Sequence, residues 1–131
     1  MTSSALQLEA EVRDLLTAWT DAVKRRDLQG ILQNHSPDIV MFDVPPPEQL
    51  RGIDDYKKSW DLFFQYLPRE GGVFDITEME IVATGDLAFA YGLLRCGGHE
   101  HSFPVRLTMC LKRANGAWMI VHEHHSVPAR E

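Results

Sequence analysis

The spacing of apolar residues changes once along this chain, from a helical period to an alternating one. Leu8, Val12, Leu15, Trp19 and Val23 fall at intervals of four and three, the repeat of a helix with one buried stripe, expected over residues 5–26. Ser4 and Gln7 ahead of that stripe fit a capping box. Asp27 interrupts the pattern, and a short second helix is expected over 28–35, before Pro37. Residues 38–44, DIVMFDV, read as a strand that ends at the prolines of 45–47, since proline cannot donate to a sheet ladder. A third helix is expected over 53–67, with Ile53, Tyr56, Trp60, Phe63 and Leu67 on one heavily aromatic face and Pro68 as its stop.

From Val73 onward the period is two. Residues 73–83 alternate, but their apolar parity shifts between Ile76 and Met79, which predicts a bulge near Thr77–Glu78. Thr84–Asp86 forms a turn, 87–96 and 101–113 are the next strands, Asn115–Gly116 is a hairpin turn, and 118–127 closes the sheet. Helices followed by an antiparallel meander give an α+β protein.

The totals narrow the function. A chain of 131 residues is read as a single domain, 1–131. Its net charge of −6 and the lack of a basic stripe argue against a nucleic-acid partner. No apolar run approaches the about 20 residues that a membrane span needs, and the N-terminus lacks the layout of a secretory leader. Cys96 and Cys110 form no CxxC pair and read most simply as free thiols of a reducing compartment, with a disulfide between them as the lesser alternative. The expectation is a cytoplasmic protein with no membrane partner.

Several segments, in order, carry a family resemblance: RDLQGIL after the first helix, SPDIVMFD in the first strand, RGIDDYKKSW opening the third helix, DLAFAYG in mid-sheet and NGAWMIVHEHHS at the end. Together they resemble the nuclear transport factor 2-like superfamily, which includes ketosteroid isomerases and SnoaL-like polyketide cyclases, over nearly the whole chain. The resemblance implies a cone-shaped, cystatin-like fold, with three N-terminal helices packed on a curved antiparallel sheet around a pocket. It also implies a homodimer formed through the outer sheet face. It does not select an activity, because this fold carries isomerases, cyclases, dehydratases and binding modules.

Ketosteroid isomerases place a general-base aspartate at the end of the first strand, and Asp43 falls on that position. A half-buried carboxylate there could remove a proton next to a carbonyl; the alternative is an aspartate that caps the loop before the prolines. Those isomerases form an oxyanion hole from a first-helix tyrosine, whose position here is Trp19, and a protonated aspartic acid of the penultimate strand, whose position falls near Thr108. The same comparison puts Tyr91, Leu93 and Arg95 on the pocket face. Arg95 would then hold an acidic group of a ligand or pair with Asp43, unless it is a solvated strand end.

The segment WMIVHEHHSV, residues 118–127, sets four ionisable side chains side by side. Alternation along a strand separates Trp118, Ile120, His122 and His124 from Met119, Val121, Glu123 and His125. The resemblance, including the VHxHxS ending of calcium/calmodulin-dependent kinase association domains, turns Glu123 and His125 toward the pocket and His122 and His124 outward. A two-residue turn at Asn115–Gly116 would set Arg106 and Thr108 opposite His125 and Glu123; a three-residue turn would turn them outward and bring Leu107 and Met109 in.

His99–His101 and His122–His124 are HxH pairs, but zinc needs three or four converging ligands, and solvated or interface histidines account for them. Ser126 directly follows His125 and no GxSxG elbow exists, so a serine nucleophile is not expected. Two readings remain. One is a cofactor-free, metal-free isomerase, cyclase or lyase acting on a small carbonyl compound, with Asp43 as base, His125 or Glu123 as acid or second base, and Trp19, Tyr56, Trp60, Tyr91, Arg95, Arg106 and Thr108 around the ligand. The other is a ligand-binding or dimeric assembly module without chemistry.

Overall fold

A computed structural model describes residues 4–129. Three helices come first: α1 (Ala5–Lys24), α2 (Leu28–Leu32) and, after two strands, α3 (Ile53–Phe63). The strands are β1 (His35–Phe42), β2 (Leu50–Arg51), β3 (Gly72–Thr84), β4 (Leu87–Gly98), β5 (Ser102–Ala114) and β6 (Ala117–Ser126). They form one open sheet in the order β2-β1-β6-β5-β4-β3. β3 to β6 are an antiparallel meander, as the alternation predicts, whereas β1 runs parallel to β6.

The capping box is present, with Ser4 and Gln7 bonded to each other's backbone. The stripe of α1 buries Leu8, Val12, Leu16, Trp19 and Val23 against the sheet. Trp19 meets Trp60 of α3 edge-on, with ring centroids 5.9 Å apart, and Phe74 of β3 at 5.3 Å. These aromatic contacts join the helical layer to the sheet.

Three local departures from the expected elements matter. The second helix stops at Leu32, because Asn34 takes a left-handed conformation (φ 62°) that ends it. The strand therefore starts at His35, not at 38, and His35 becomes a buried strand residue. The third helix ends at Phe63 rather than 67, although Leu67 still packs in the core.

The predicted bulge in β3 lies between Ile76 and Glu78. It brings the Glu78 carbonyl oxygen within 1.8 Å of where a Cβ on Gly92 of β4 would sit, so that position requires glycine. A second bulge was not foreseen. The Asn115–Gly116 turn has two residues, both with positive φ (53° and 77°), as a type I′ hairpin demands. Ala114 pairs with Ala117 and Leu111 with Ile120, but the next pair is Cys110 with His122. Val121 is the extra residue. It puts Trp118 and Ile120 on the same inner face as Glu123 and His125, which strict alternation would have opposed.

Candidate functional site

The bulge at Val121 decides which neighbours the polar end of β6 receives. Met109 lies opposite Glu123, and Leu107 opposite His125. Both side chains are buried and apolar. Arg106 pairs with Ser126 and Thr108 with His124, so Arg106 and Thr108 face outward, contrary to the register expected from a two-residue turn. Arg106 is exposed and bonds Ser126 Oγ and the Val127 carbonyl. Tyr91 and Arg95 are likewise exposed on the outer face of β4, whose inner residues are Ala88, Ala90, Leu94 and Cys96. Arg95 bonds Ser102 and has no contact with Asp43. The expected polar wall of Tyr91, Arg95, Arg106 and Thr108 therefore lies on the wrong side of the sheet.

The remaining polar residues converge. Glu123 is completely buried, and three groups surround its carboxylate. Its Oε2 is 2.6 Å from His35 Nε2 and accepts a 2.6 Å bond from the Tyr56 hydroxyl. Its Oε1 is 3.0 Å from His125 Nε2. His35 Nδ1 lies 3.0 Å from the Gln33 carbonyl oxygen, which can only accept, so this nitrogen carries a proton. The His35 ring stacks on Tyr56 with centroids 4.7 Å apart. Trp19 Nε1 donates to the Tyr56 hydroxyl at 3.2 Å.

On its other side His125 reaches Asp43, which follows the last residue of β1. Nδ1 and Asp43 Oδ1 are 3.5 Å apart, longer than a hydrogen bond. Asp43 Oδ1 also accepts the Val44 N–H at 2.8 Å. Side-chain exposure rises along the series, from 0% at Glu123 through 10% at His125 to 23% at Asp43. One chain of titratable groups thus runs from the interior to the rim.

Electrostatics follow from this arrangement. Burial opposes a charge on Glu123, but the hydrogen bonds from His125 and His35 outweigh it and bring the carboxyl down to about 2. Burial likewise opposes a charge on His125, and Asp43 and Glu123 on either side raise it to about 9. Burial and then the neighbouring Glu123 charge push the Tyr56 hydroxyl well above 10, so it remains a donor. At neutral pH, Glu123 is a carboxylate and His125 an imidazolium.

Trp60 completes the aromatic interior beside Tyr56 and Trp19. Among the described residues its Nε1 is the buried side-chain polar atom without a hydrogen-bond partner. A cavity of about 520 Å³ opens at the rim, walled by Phe63, Tyr66, Leu67, Phe103 and Cys96 with His99 and His101. Cys96 adjoins the relay: burial and the Asp43 charge raise its thiol to about 11.

His122 and His124 sit on the outer face, edge-on to Phe42, with centroids 4.8 and 5.4 Å from it. His122 Nδ1 bonds the Val40 carbonyl oxygen at 2.6 Å. Among the described residues no group of three or more His, Cys, Asp or Glu side chains could hold a metal ion, and no helix is long and apolar enough to cross a membrane. His35 is the site residue that the alternation pattern misses. Its signal was Asn34, a residue suited to a left-handed helix end.

Comparison with known proteins fits this architecture. Residues 12–130 match the SnoaL-like domain. A nuclear transport factor 2-like protein of unknown function from Pseudomonas putida KT2440 is 32% identical, with 98% of this chain and 92% of that one covered and a TM-score of 0.89. A proposed ketosteroid isomerase from Shewanella frigidimarina is 19% identical, covering 86% of this chain and 92% of that one at a TM-score of 0.71. A proposed calcium/calmodulin-dependent protein kinase II association domain from Xanthomonas campestris is 16% identical, covering 92% and 88% at a TM-score of 0.75. The last two likenesses are of fold alone. No curated protein matches the chain. The family match across most of the sequence, on an open sheet backed by three helices, makes this chain a member of the SnoaL-like domain family with the nuclear transport factor 2-like fold.

Proposed function

We propose that the protein is a cofactor-free proton-transfer enzyme acting on a small, uncharged carbonyl compound at the Asp43–His125 pair. The observation that carries this reading is the juxtaposition of His125 Nδ1 and Asp43 Oδ1, 3.5 Å apart without a hydrogen bond, at the exposed end of the buried relay. His125 Nε2 is committed to Glu123, while among the described residues Nδ1 makes no hydrogen bond, its neighbour Asp43 Oδ1 lying 3.5 Å away. A substrate carbonyl oxygen that approaches His125 Nδ1 from the rim, with the Asp43 side chain turned aside, takes that N–H. Asp43 Oδ1 is held by the Val44 N–H, and Oδ2 is free to take the proton next to the carbonyl. His125 then stabilises the enolate oxygen. Return of the proton from Asp43 to another carbon completes an isomerisation; attack of the enolate carbon on a second carbonyl, whose oxygen takes the proton, completes a ring closure; and expulsion of a β-substituent, which leaves with the proton, completes an elimination. Asp43 and His125 carry opposite charges, and Arg95 lies on the far face; a neutral substrate suits this better than an acid. The unpartnered Trp60 N–H is a further donor that a ligand oxygen in the interior would satisfy.

The test is hydrogen exchange. A panel of small aryl and cyclic ketones is incubated with the protein in D2O, and deuterium at the position next to the carbonyl is followed by NMR. The expected result is protein-dependent exchange with at least one member, reduced about 10²–10⁴-fold by Asp43→Asn. Exchange that is equal in the variant removes Asp43 as the base.

A binding module is favoured by one observation: the 520 Å³ cavity is apolar-walled and contains none of Asp43, Glu123 and His125. On that reading panel members raise the melting temperature but exchange no deuterium.

We also infer that two copies pair through the outer sheet face. Val82, Leu87, Phe89 and Tyr91 are exposed there. Glu78 and Glu80 on β3 lie along one side, and Arg106 on β5 along the other. A two-fold axis would set the acids of one copy against the arginine of the next. Light scattering should give a dimer for the parent and a monomer for Phe89→Glu; a monomeric parent overturns the pairing.

A further inference from the structure

Only the outer two members of the buried relay enter the proton-transfer reading. Glu123, His35 and Tyr56 lie behind them, out of reach of any ligand at the rim. Three groups, His35 Nε2, the Tyr56 hydroxyl and His125 Nε2, converge on one fully buried carboxylate, which is more than packing requires. A carboxylate in an apolar wall is costly to retain, and here Met109 and Leu107 would accommodate an apolar side chain on β6 equally well. What the carboxylate accomplishes is visible on its one outward partner.

We propose that Glu123 is a positioning residue that keeps the proton on His125 and turns its Nδ1–H toward the gap beside Asp43, while His35 and Tyr56 hold Glu123 ionised. Four observations carry this. Glu123 Oε1 fixes His125 Nε2 at 3.0 Å, so that the ring cannot flip without losing the bond. Glu123 Oε2 is occupied by His35 and Tyr56 at 2.6 Å each, so that the carboxylate cannot rotate toward solvent. His35 is in turn anchored on the Gln33 carbonyl, and Tyr56 on the Trp19 N–H. Finally, His125 is faced by Asp43 beyond β1, Glu123 on its own strand, Leu107 on β5 and the Trp19 ring of α1 at 6.3 Å, while the Cys96 thiol of β4 lies beyond Asp43 and is neutral. Asp43 and Glu123 are the charged ones. Asp43 is the member that would change charge during turnover. Glu123, sealed from water, would not, and so it is the fixed charge that lets His125 keep its proton when Asp43 becomes neutral.

This inference rests on the proton-transfer reading for the roles of Asp43 and His125, but its test does not depend on activity. Imidazole 15N shifts of His125 are followed against pH in the wild type, in Glu123→Gln and in Asp43→Asn. The expected wild-type signal has both ring nitrogens protonated at pH 7. Glu123→Gln lowers the His125 midpoint by about one unit or more, at least about tenfold in its protonation equilibrium. Asp43→Asn leaves the ring cationic at pH 7. A neutral His125 in the wild type, or an unchanged midpoint in Glu123→Gln, overturns the proposal. The wild-type measurement decides the matter even if Glu123→Gln does not fold. Where a ketone is found to exchange, the alkaline limb of the rate profile should move down with the His125 midpoint in Glu123→Gln and recover in part in Glu123→Asp; a purely structural role would lower the rate without moving the limb. Absent exchange with a cationic, Glu123-dependent His125 sinks the enzyme reading and leaves the relay standing. Exchange with a neutral His125 does the reverse.

Discussion

β6 presents the same residue types on both of its faces, with opposite consequences. Glu123 and His125 look inward, and His122 and His124 look outward, within four consecutive positions. The inner pair is enclosed by His35, Tyr56 and Asp43, and each charge has a counter-charge or donor within 3.5 Å. The outer pair meets one aromatic ring, one carbonyl and solvent. Residue type alone therefore does not define the site. What the opposing strands and helices deliver to each face defines it, and the face is set by one extra residue, Val121.

Deleting Val121 should break the comparison most completely. Without the bulge, Trp118 and Ile120 can face the core only if Glu123 and His125 turn outward, and the reverse. Either choice exposes large apolar surface or leaves His35 and Tyr56 without their carboxylate. The expected outcome is a protein that does not reach a cooperative fold, checked by circular dichroism and thermal melting. A native-like melt would show that the sheet absorbs the register shift elsewhere.

That bulge also marks where the sequence stopped being legible. The helical stripe of α1, the bulge at Thr77–Glu78 and the Asn115–Gly116 turn follow from local patterns, and each appears where its pattern puts it, except that the α1 stripe buries Leu16 more deeply than the expected Leu15 and ends at Lys24. β6 offers no such mark, since MIVHE carries neither glycine nor a visible break in apolar parity. Its kink depends on long-range pairing with β5. The resemblance placed Glu123 and His125 inward correctly, but the same reasoning carried Tyr91, Arg95, Arg106 and Thr108 inward too, where the strand pairing does not allow them. His35 was hidden for another reason: Pro37 looked like the helix stop, when Asn34 had already ended the helix.

Replacing Glu123 by Ala is expected to be the costliest single side-chain truncation in β6. It leaves imidazole and phenol groups facing each other in a dry interior, and removing one partner of a buried ion pair typically costs about 3–5 kcal/mol. Urea denaturation would read this as a lower midpoint with an unchanged slope. A loss below about 1 kcal/mol would mean that His35, Tyr56 and His125 satisfy one another without the carboxylate.

The inner pair should also shape stability against pH. Glu123 titrates near 2 in the folded chain against an ordinary 4.5, so its contribution is present above about 4.5 and is lost as pH falls toward 2. His125 titrates near 9 against an ordinary 6.5, so its contribution is full below about 6.5 and is lost as pH rises through 9. Together they place the most favourable window between about 4.5 and 6.5. Denaturation midpoints measured from pH 3 to pH 9.5 should fall at both ends, and Asp43→Asn should weaken the alkaline fall by removing one of the charges that raise His125. A midpoint that is flat above pH 6.5 would contradict the imidazolium assignment.

The outer pair supplies the smallest effect and the sharpest contrast. His124 is exposed and meets the edge of Phe42, with the His122 ring 6.4 Å away, so His124→Ala should change stability by no more than about 0.5 kcal/mol. His122 has one further bond, to the Val40 carbonyl, and its loss should cost about 1 kcal/mol. The same urea series that reads Glu123→Ala reads both, and the ordering Glu123, then His122, then His124 is the prediction. If His124→Ala proved as costly as Glu123→Ala, the pairing surface proposed on β3–β5 would have to extend across β6 and bury His124 between copies. The cost would then depend on protein concentration, because a side chain buried between copies contributes only to the associated state.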